Sequence, residues 1–247
     1  MGNISAKTLP GIFFEQANSL KDRPLFWSKK DGFWEGVTWS DAAVQVKKLA
    51  SVLQSYGVKK GDRVLIASEN RPEWAISDLA VMSLGGIVVP AYTSNTEEDN
   101  NYLLTHSQAK LAITSGGNVA SRLCLAADSN KFIKNIILID ADPRNFTVKG
   151  CKLLSWNEEI KKVDIDSKFE KSIEKLSDED VCCFIYTSGT GGRPKGVMLT
   201  HKSIFSNILA CSDVIKNVKI EEKVFLSLLP LSHAYEHTCG FHWPIFL

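Results

Sequence analysis

The sequence predicts an α/β fold: a mostly parallel sheet with helices on both faces. Apolar runs of strand length recur at 64–67, 87–89, 111–114, 136–139 and 181–185. Such unbroken runs mark strands buried on both faces, whereas strands with one wet face alternate. Segments of helical period separate these runs, and Gly, Pro, Asn and Asp sit at the junctions.

Taken in order, residues 25–39 form an N-terminal hairpin, with Leu25 to Ser28 and Phe33 to Trp39 flanking a Lys-Lys-Asp-Gly turn. Ser40 suits the N-cap of a helix running to Tyr56. Leu49, Val52, Leu53 and Tyr56 fall at i, i+3, i+4 and i+7, and Gly57 closes the end. A Lys59 to Asp62 turn leads into the strand Val64 to Ala67. A helix from Pro72 to Leu84 starts with proline near its first turn, where the missing N–H costs nothing. Ile87 to Val89 is a strand ending at Pro90. Thr96-Glu97-Glu98-Asp99 has the form of a capping box that opens a helix to Ser107. Leu111 to Thr114 is a strand, 118–128 a helix and Ile136 to Ile139 a strand. Residues 157–180 are rich in Lys, Glu and Asp and read as a solvated helix and linker.

Composition narrows the function classes. The 247 residues are 44% hydrophobic and 23% charged, with net charge +1. This balance gives no bulk field for nucleic acid or an anionic membrane. No run approaches the ~18 apolar residues of a transmembrane helix. The first residues lack a basic stretch followed by an apolar one, so no secretory signal is expected. Gly2 does not make a myristoylation motif, because Ala6 stands where Ser or Thr is needed. The six cysteines, at 124, 151, 182, 183, 211 and 239, form no C-x-x-C pair. They read as reduced thiols in a cytoplasmic protein.

Chemistry concentrates in residues 186–201, Tyr-Thr-Ser-Gly-Thr-Gly-Gly-Arg-Pro-Lys-Gly-Val-Met-Leu-Thr-His. Glycines let backbone N–H groups approach an anion closely. Thr187, Ser188 and Thr190 add hydroxyl donors, and Lys195 adds a mobile positive charge suited to phosphate. The spacing fails the Walker A pattern, since Pro194 stands where the second glycine is needed and Gly196 follows Lys195. It also fails the dinucleotide G-x-G-x-x-G pattern at Pro194. A plain turn between two strands has a similar composition.

The run resembles the signature of the adenylate-forming enzymes, Tyr-Thr-Ser-Gly-Thr-Thr-Gly-x-Pro-Lys-Gly. It departs only at Gly191, which removes one hydroxyl. Three earlier segments resemble acyl-CoA synthetases in the right order: Gly61-Asp62-Arg63-Val64, Asn70-Arg71-Pro72-Glu73-Trp74 and Gly85 to Pro90. Leu229-Pro230-Leu231-Ser232-His233-Ala234-Tyr235-Glu236 resembles the next motif, in the form found in the long-chain fatty-acyl branch.

The resemblance implies an incomplete N-terminal AMP-binding domain over 1–247. It implies ATP-dependent activation of a fatty acid through acyl-AMP and transfer to CoA, with Mg2+ as cofactor. Thr187, Ser188, Gly189, Thr190, Gly191, Gly192 and Lys195 would bind ATP and pyrophosphate, and Thr187 is a candidate Mg2+ ligand. His233 and Tyr235 would line the substrate pocket. Several family elements have no counterpart in the sequence: the downstream Tyr-Gly-x-Thr-Glu segment, the ribose-binding Asp, and the C-terminal domain with its catalytic Lys. Two alternatives therefore stand beside the ligase, a non-catalytic binding module with weak phosphate affinity and one half of a split enzyme that needs a second polypeptide. A cytoplasmic location, with or without peripheral membrane contact, fits either.

One further pattern competes. His233-Ala-Tyr-Glu236-His237 is H-x-x-E-H. On one helix face the two histidines could bind zinc, with Glu236 as general base of a hydrolase. His242 is expected to add little, because Trp243-Pro244 would interrupt the helix. The runs Phe225 to Leu229 and Phe241 to Leu247 are expected to be exposed apolar segments.

Overall fold

A computed structural model describes residues 5–187, 192–215 and 224–247. The chain opens with a helix absent from the sequence expectation, α1 (Leu9–Leu20). Thr8 caps it by accepting the Gly11 N–H, Pro10 occupies its first turn, and Leu9, Ile12 and Phe13 are buried. The hairpin follows as β1 (Pro24–Lys30) and β2 (Phe33–Thr38), a separate two-stranded sheet. Asp31 and Gly32 turn it at φ 48° and 87°, the left-handed pair that a tight hairpin turn requires.

Next comes α2 (Trp39–Ser55). Its cap is Thr38, not Ser40: the Thr38 hydroxyl accepts the Asp41 N–H at 3.1 Å, so the helix begins two residues earlier. The alternation then runs β3 (Arg63–Ala67), α3 (Pro72–Ser83), β4 (Ile87–Ala91), α4 (Glu97–Ser107), β5 (Leu111–Thr114), α5 (Gly117–Asp128), β6 (Asn135–Leu138) and β7 (Lys152–Ser155). The capping box at Thr96 and Asp99 is present in both directions. β4 continues through Pro90 to Ala91, contrary to the expected stop, and pairs with β3 at Ile66 opposite Pro90. Its ladder to the strand on its other side is recorded at Val88 only, so a missing N–H at Pro90 costs little there.

Residues 157–180 hold parts of two short helices, α6 (Trp156–Lys162) and α7 (Phe169–Glu174). They are anchored by buried Trp156 and Phe169 under an otherwise polar surface. β8 (Val181–Thr187) and β9 (Lys195–Thr200) then form an antiparallel hairpin, and α8 (His201–Ile215) follows directly. The last described stretch holds a π-helix (Glu236–His242) and α9 (Trp243–Phe246).

The main sheet has seven strands in the order β7-β6-β5-β3-β4-β8-β9. All pairs are parallel except β8 with β9. Successive side chains of a strand point to opposite faces, and β3 shows the consequence. Val64 and Ile66 join a core with α1, α2, α3, α8 and the π-helix, whereas Leu65 and Ala67 join a second core under α4 and α5. The expected apolar exposure near the end of the chain holds in part. Val224, Leu226 and Leu228 are exposed, but Phe241 and Ile245 are buried. Phe241 packs edge-on against Trp74, and Gln16 donates from α1 to the Ile245 and Phe246 carbonyls. Among the described residues no helix is long and apolar enough to cross a membrane.

Candidate functional site

The sheet places the glycine-rich loop at the tip of the β8–β9 hairpin. β8 runs parallel to β4, so Thr187 emerges at the same sheet edge as the carboxyl ends of β3 to β6. That edge is where open α/β sheets bind ligands. Thr187 stands opposite Lys195 in the hairpin register, and both are exposed. A hydroxyl and an ammonium group therefore flank the mouth of the loop. Gly192 is exposed beside them, while Ser188, Gly189, Thr190 and Gly191 lie outside the described residues. Thr187 and Lys195 fit phosphate oxygens. Mg2+ demands six oxygens, so Thr187 would supply one ligand, with the others from phosphates and water.

Helix α4 grips the descending limb of this loop, which residue patterns alone did not reveal. Tyr102 donates its hydroxyl to the Pro194 carbonyl at 2.7 Å, and the Arg193 guanidinium lies 5.5 Å from the Tyr102 ring centre. His106 stacks on Tyr102 at 5.4 Å, and its Nδ1 lies 2.8 Å from the Tyr186 hydroxyl. Burial pushes the Tyr186 phenol up to about 12, and Tyr102 adds to the shift. Tyr186 therefore keeps its proton, and its hydroxyl shares a hydrogen bond with His106. Both ends of the loop rest on one helix face.

The second motif lies across the same edge. Asn70, just past the end of β3, pins it: its amide donates to Ser227 Oγ at 2.8 Å and to the Leu229 carbonyl at 2.7 Å, and its carbonyl accepts the Leu231 N–H at 2.9 Å. The Asn70 to Trp74 segment thus does structural work. His233 and Tyr235 are exposed, and His233 Nδ1 accepts the Tyr235 N–H at 3.2 Å.

The H-x-x-E-H pattern is not assembled as a zinc face. His233 is exposed while His237 is fully buried, and the Glu236 carboxylate accepts from Ser227 Oγ at 2.9 Å. Instead His237 joins His242, which corrects the expectation that His242 would add little. A π-helix bonds i to i+5, and that spacing brings the two rings to 4.7 Å. Pro244 does not break the chain, because it falls in the first turn of α9. Both rings face Asp78 of α3. His237 Nε2 lies 2.9 Å from Asp78 Oδ1 and His242 Nε2 3.2 Å from Oδ2. Burial works to raise the Asp78 carboxyl, but His237 and His242 outweigh it and hold it at about 2. Burial also lowers His242, against the pull of Asp78. The ionised carboxylate thus faces two imidazole edges in the core, and His237 Nδ1 is buried with no hydrogen-bond partner among the described residues.

A doubly covered, mostly parallel sheet carries a hydroxyl- and lysine-flanked glycine loop at its carboxyl edge. The chain belongs to the AMP-binding enzyme family, whose sequence model matches residues 13–247. It is 34% identical over 227 residues to fatty acyl-CoA synthetase A of Dictyostelium discoideum, covering 89% of this chain and 33% of that protein. It is 30% identical to long-chain-fatty-acid–CoA ligase FadD15 of Mycobacterium tuberculosis, covering 90% and 36%. The chain thus spans about a third of the length of these relatives. In fold it matches the N-terminal domain of FACL13 from Mycobacterium tuberculosis, with TM-score 0.73 and 21% identity over 98% of this chain and 55% of that one. The anthranilate CoA ligase AuaEII, solved with anthranoyl-AMP, gives TM-score 0.76 at 19% identity over 97% and 43%.

Proposed function

We propose that this chain is the phosphate- and acyl-binding portion of a long-chain fatty-acid–CoA ligase. In that reaction a carboxylate attacks the α-phosphorus of ATP, giving acyl-AMP and pyrophosphate, and the CoA thiol then displaces AMP. Adenylation supplies the leaving group that a carboxylate lacks. The protein's part is positioning and charge screening. Lys195 neutralises the β- and γ-phosphates, and the Thr187 hydroxyl bonds a phosphate oxygen or Mg2+. Tyr102, His106 and Tyr186 hold the loop to α4. His233 and Tyr235 face the acyl and adenylate groups.

The observation that carries the reading is Thr187 opposite Lys195 at the carboxyl edge of the sheet. The names of the fatty-acyl relatives support the substrate class. The complete reaction also needs the ribose-binding carboxylate and the catalytic lysine that the family resemblance implies. We place the protein in the cytoplasm, at the membrane surface where fatty acids partition.

Calorimetric titration with Mg-ATP and with pyrophosphate tests the phosphate site. Binding should weaken about tenfold in Lys195→Ala, the loss of one charge-assisted contact. No measurable binding, or equal binding by the variant, sinks the assignment. Pyrophosphate release with ATP and palmitate tests completeness. Turnover by these 247 residues alone rejects the need for that carboxylate and lysine.

A further inference from the structure

Two of the six thiols meet at the seam between α8 and the π-helix. Cys211 Sγ and Cys239 Sγ are 3.6 Å apart, and neither residue is fully buried. The seam is fixed on both sides of the pair. Trp243 donates its indole N–H to Ser212 Oγ at 2.9 Å, and Ile208 and Phe241 are buried in the same core. The remaining thiols are placed differently. Cys182 and Cys183 are buried within β8, Cys124 is buried on α5, and Cys151 lies beside β7.

Sulfur atoms at 3.6 Å are in van der Waals contact. A bond of about 2.05 Å needs ~1.5 Å of closure. We propose that Cys211 and Cys239 are a modification site, a thiol pair that peroxide converts to a reversible intrachain disulfide. One thiolate attacks a peroxide oxygen and hydroxide leaves, giving a sulfenic acid. The second thiol attacks the sulfenic sulfur and loses its proton, and the hydroxyl departs as water. In sum two thiols and one hydrogen peroxide give one disulfide and two waters. A dithiol reductant reverses the bond by exchange.

The position gives the bond a mechanical meaning. β9, the descending strand of the phosphate hairpin, runs directly from Thr200 into α8 at His201. The π-helix begins at Glu236, where the His233 and Tyr235 motif ends. A Cys211–Cys239 bond therefore ties the element behind the phosphate loop to the element behind the second motif. Burial, with Cys211 alongside, pushes the Cys239 thiol up to about 11. Attack by Cys239 is accordingly slow near neutrality and speeds up as pH rises.

The test uses the intact 247-residue chain, reduced, desalted and treated with hydrogen peroxide. After alkylation, non-reducing peptide mapping should find Cys211 joined to Cys239. The whole chain should be about 2 Da lighter than its reduced form and should regain that mass in dithiothreitol. The bond closes a 28-residue separation. The thermal midpoint should rise by roughly 5 to 10 °C over the reduced chain. Cys211→Ser and Cys239→Ser should each abolish the crosslink and the rise, while Cys124→Ser keeps both. Crosslinks at other cysteine pairs, disulfide-linked dimers only, or oxidised acids at 211 and 239 without a bond would each overturn the proposal. Mapping of the unsubstituted chain decides the matter even where a serine variant fails to fold.

Discussion

His201 makes the stability of this fold sensitive to mild acid. It is the first residue of α8, 1% exposed, and its Nδ1 accepts the Leu9 N–H at 3.4 Å. Burial, aided by nearby His242, lowers it from 6.5 to about 4, against the opposing pull of Asp180, Asp78 and Asp178. The sign follows from which state takes the proton first. With the folded value below the unfolded one, the unfolded chain binds a proton that the folded chain refuses. The contribution is complete above pH 6.5 and is lost as pH falls toward 4. At pH 5 the unfolded imidazole is mostly charged and the folded one mostly neutral, a loss of about 2 kcal/mol, approaching about 3 kcal/mol at lower pH. His242 is lowered as well and adds in the same direction. Asp78, held at about 2, acts only below this window. Urea unfolding at pH 7 and pH 5 measures the effect. His201→Asn keeps an acceptor for Leu9 but cannot titrate, so its loss between the two pH values should be about 2 kcal/mol smaller than that of the parent chain. An equal loss in both proteins, or an NMR titration placing His201 at 6.5 or above, refutes the reasoning.

Two other perturbations probe different links. Tyr102→Phe removes the hydroxyl that holds the Pro194 carbonyl. Losing one neutral hydrogen bond costs about 1 kcal/mol, so calorimetry should show pyrophosphate binding weakened about fivefold, with the thermal midpoint little changed. Gly240→Ala drives a Cβ into the Glu236 carboxyl group. It should destabilise the chain by about 1–3 kcal/mol in urea, the usual cost of overpacking, and a neutral result would show that Glu236 can swing away.

The elements most legible in sequence were those specified by neighbours along the chain. The Asp31-Gly32 turn, the capping box at Thr96 and the apolar runs of β3, β5 and β6 each draw their signal from a few adjacent residues. Elsewhere boundaries moved by one or two residues, as at Thr38 and Pro90, because a cap or a ladder depends on atoms that periodicity does not see. Helix α1 escaped because its buried face is short and its cap, Thr8, sits in a stretch read for targeting signals. Of the candidate site, the loop 187–195 was legible by its own composition and spacing.

Sequence by itself determined the fold class, the order of strands and helices along the chain and the family, all carried by local patterns and contiguous motifs. Tertiary structure alone decided which distant residues serve those motifs. It seated Tyr102 on Pro194 across 92 residues, Asn70 on Leu231 across 161, and Asp78 on His237 across 159. It also turned a zinc-like pattern into a buried carboxylate network, by winding five residues into a π turn. The physical reason is the same each time. A hydrogen bond or ion pair is fixed by distance in space, and only packing of the sheet and its helices sets that distance.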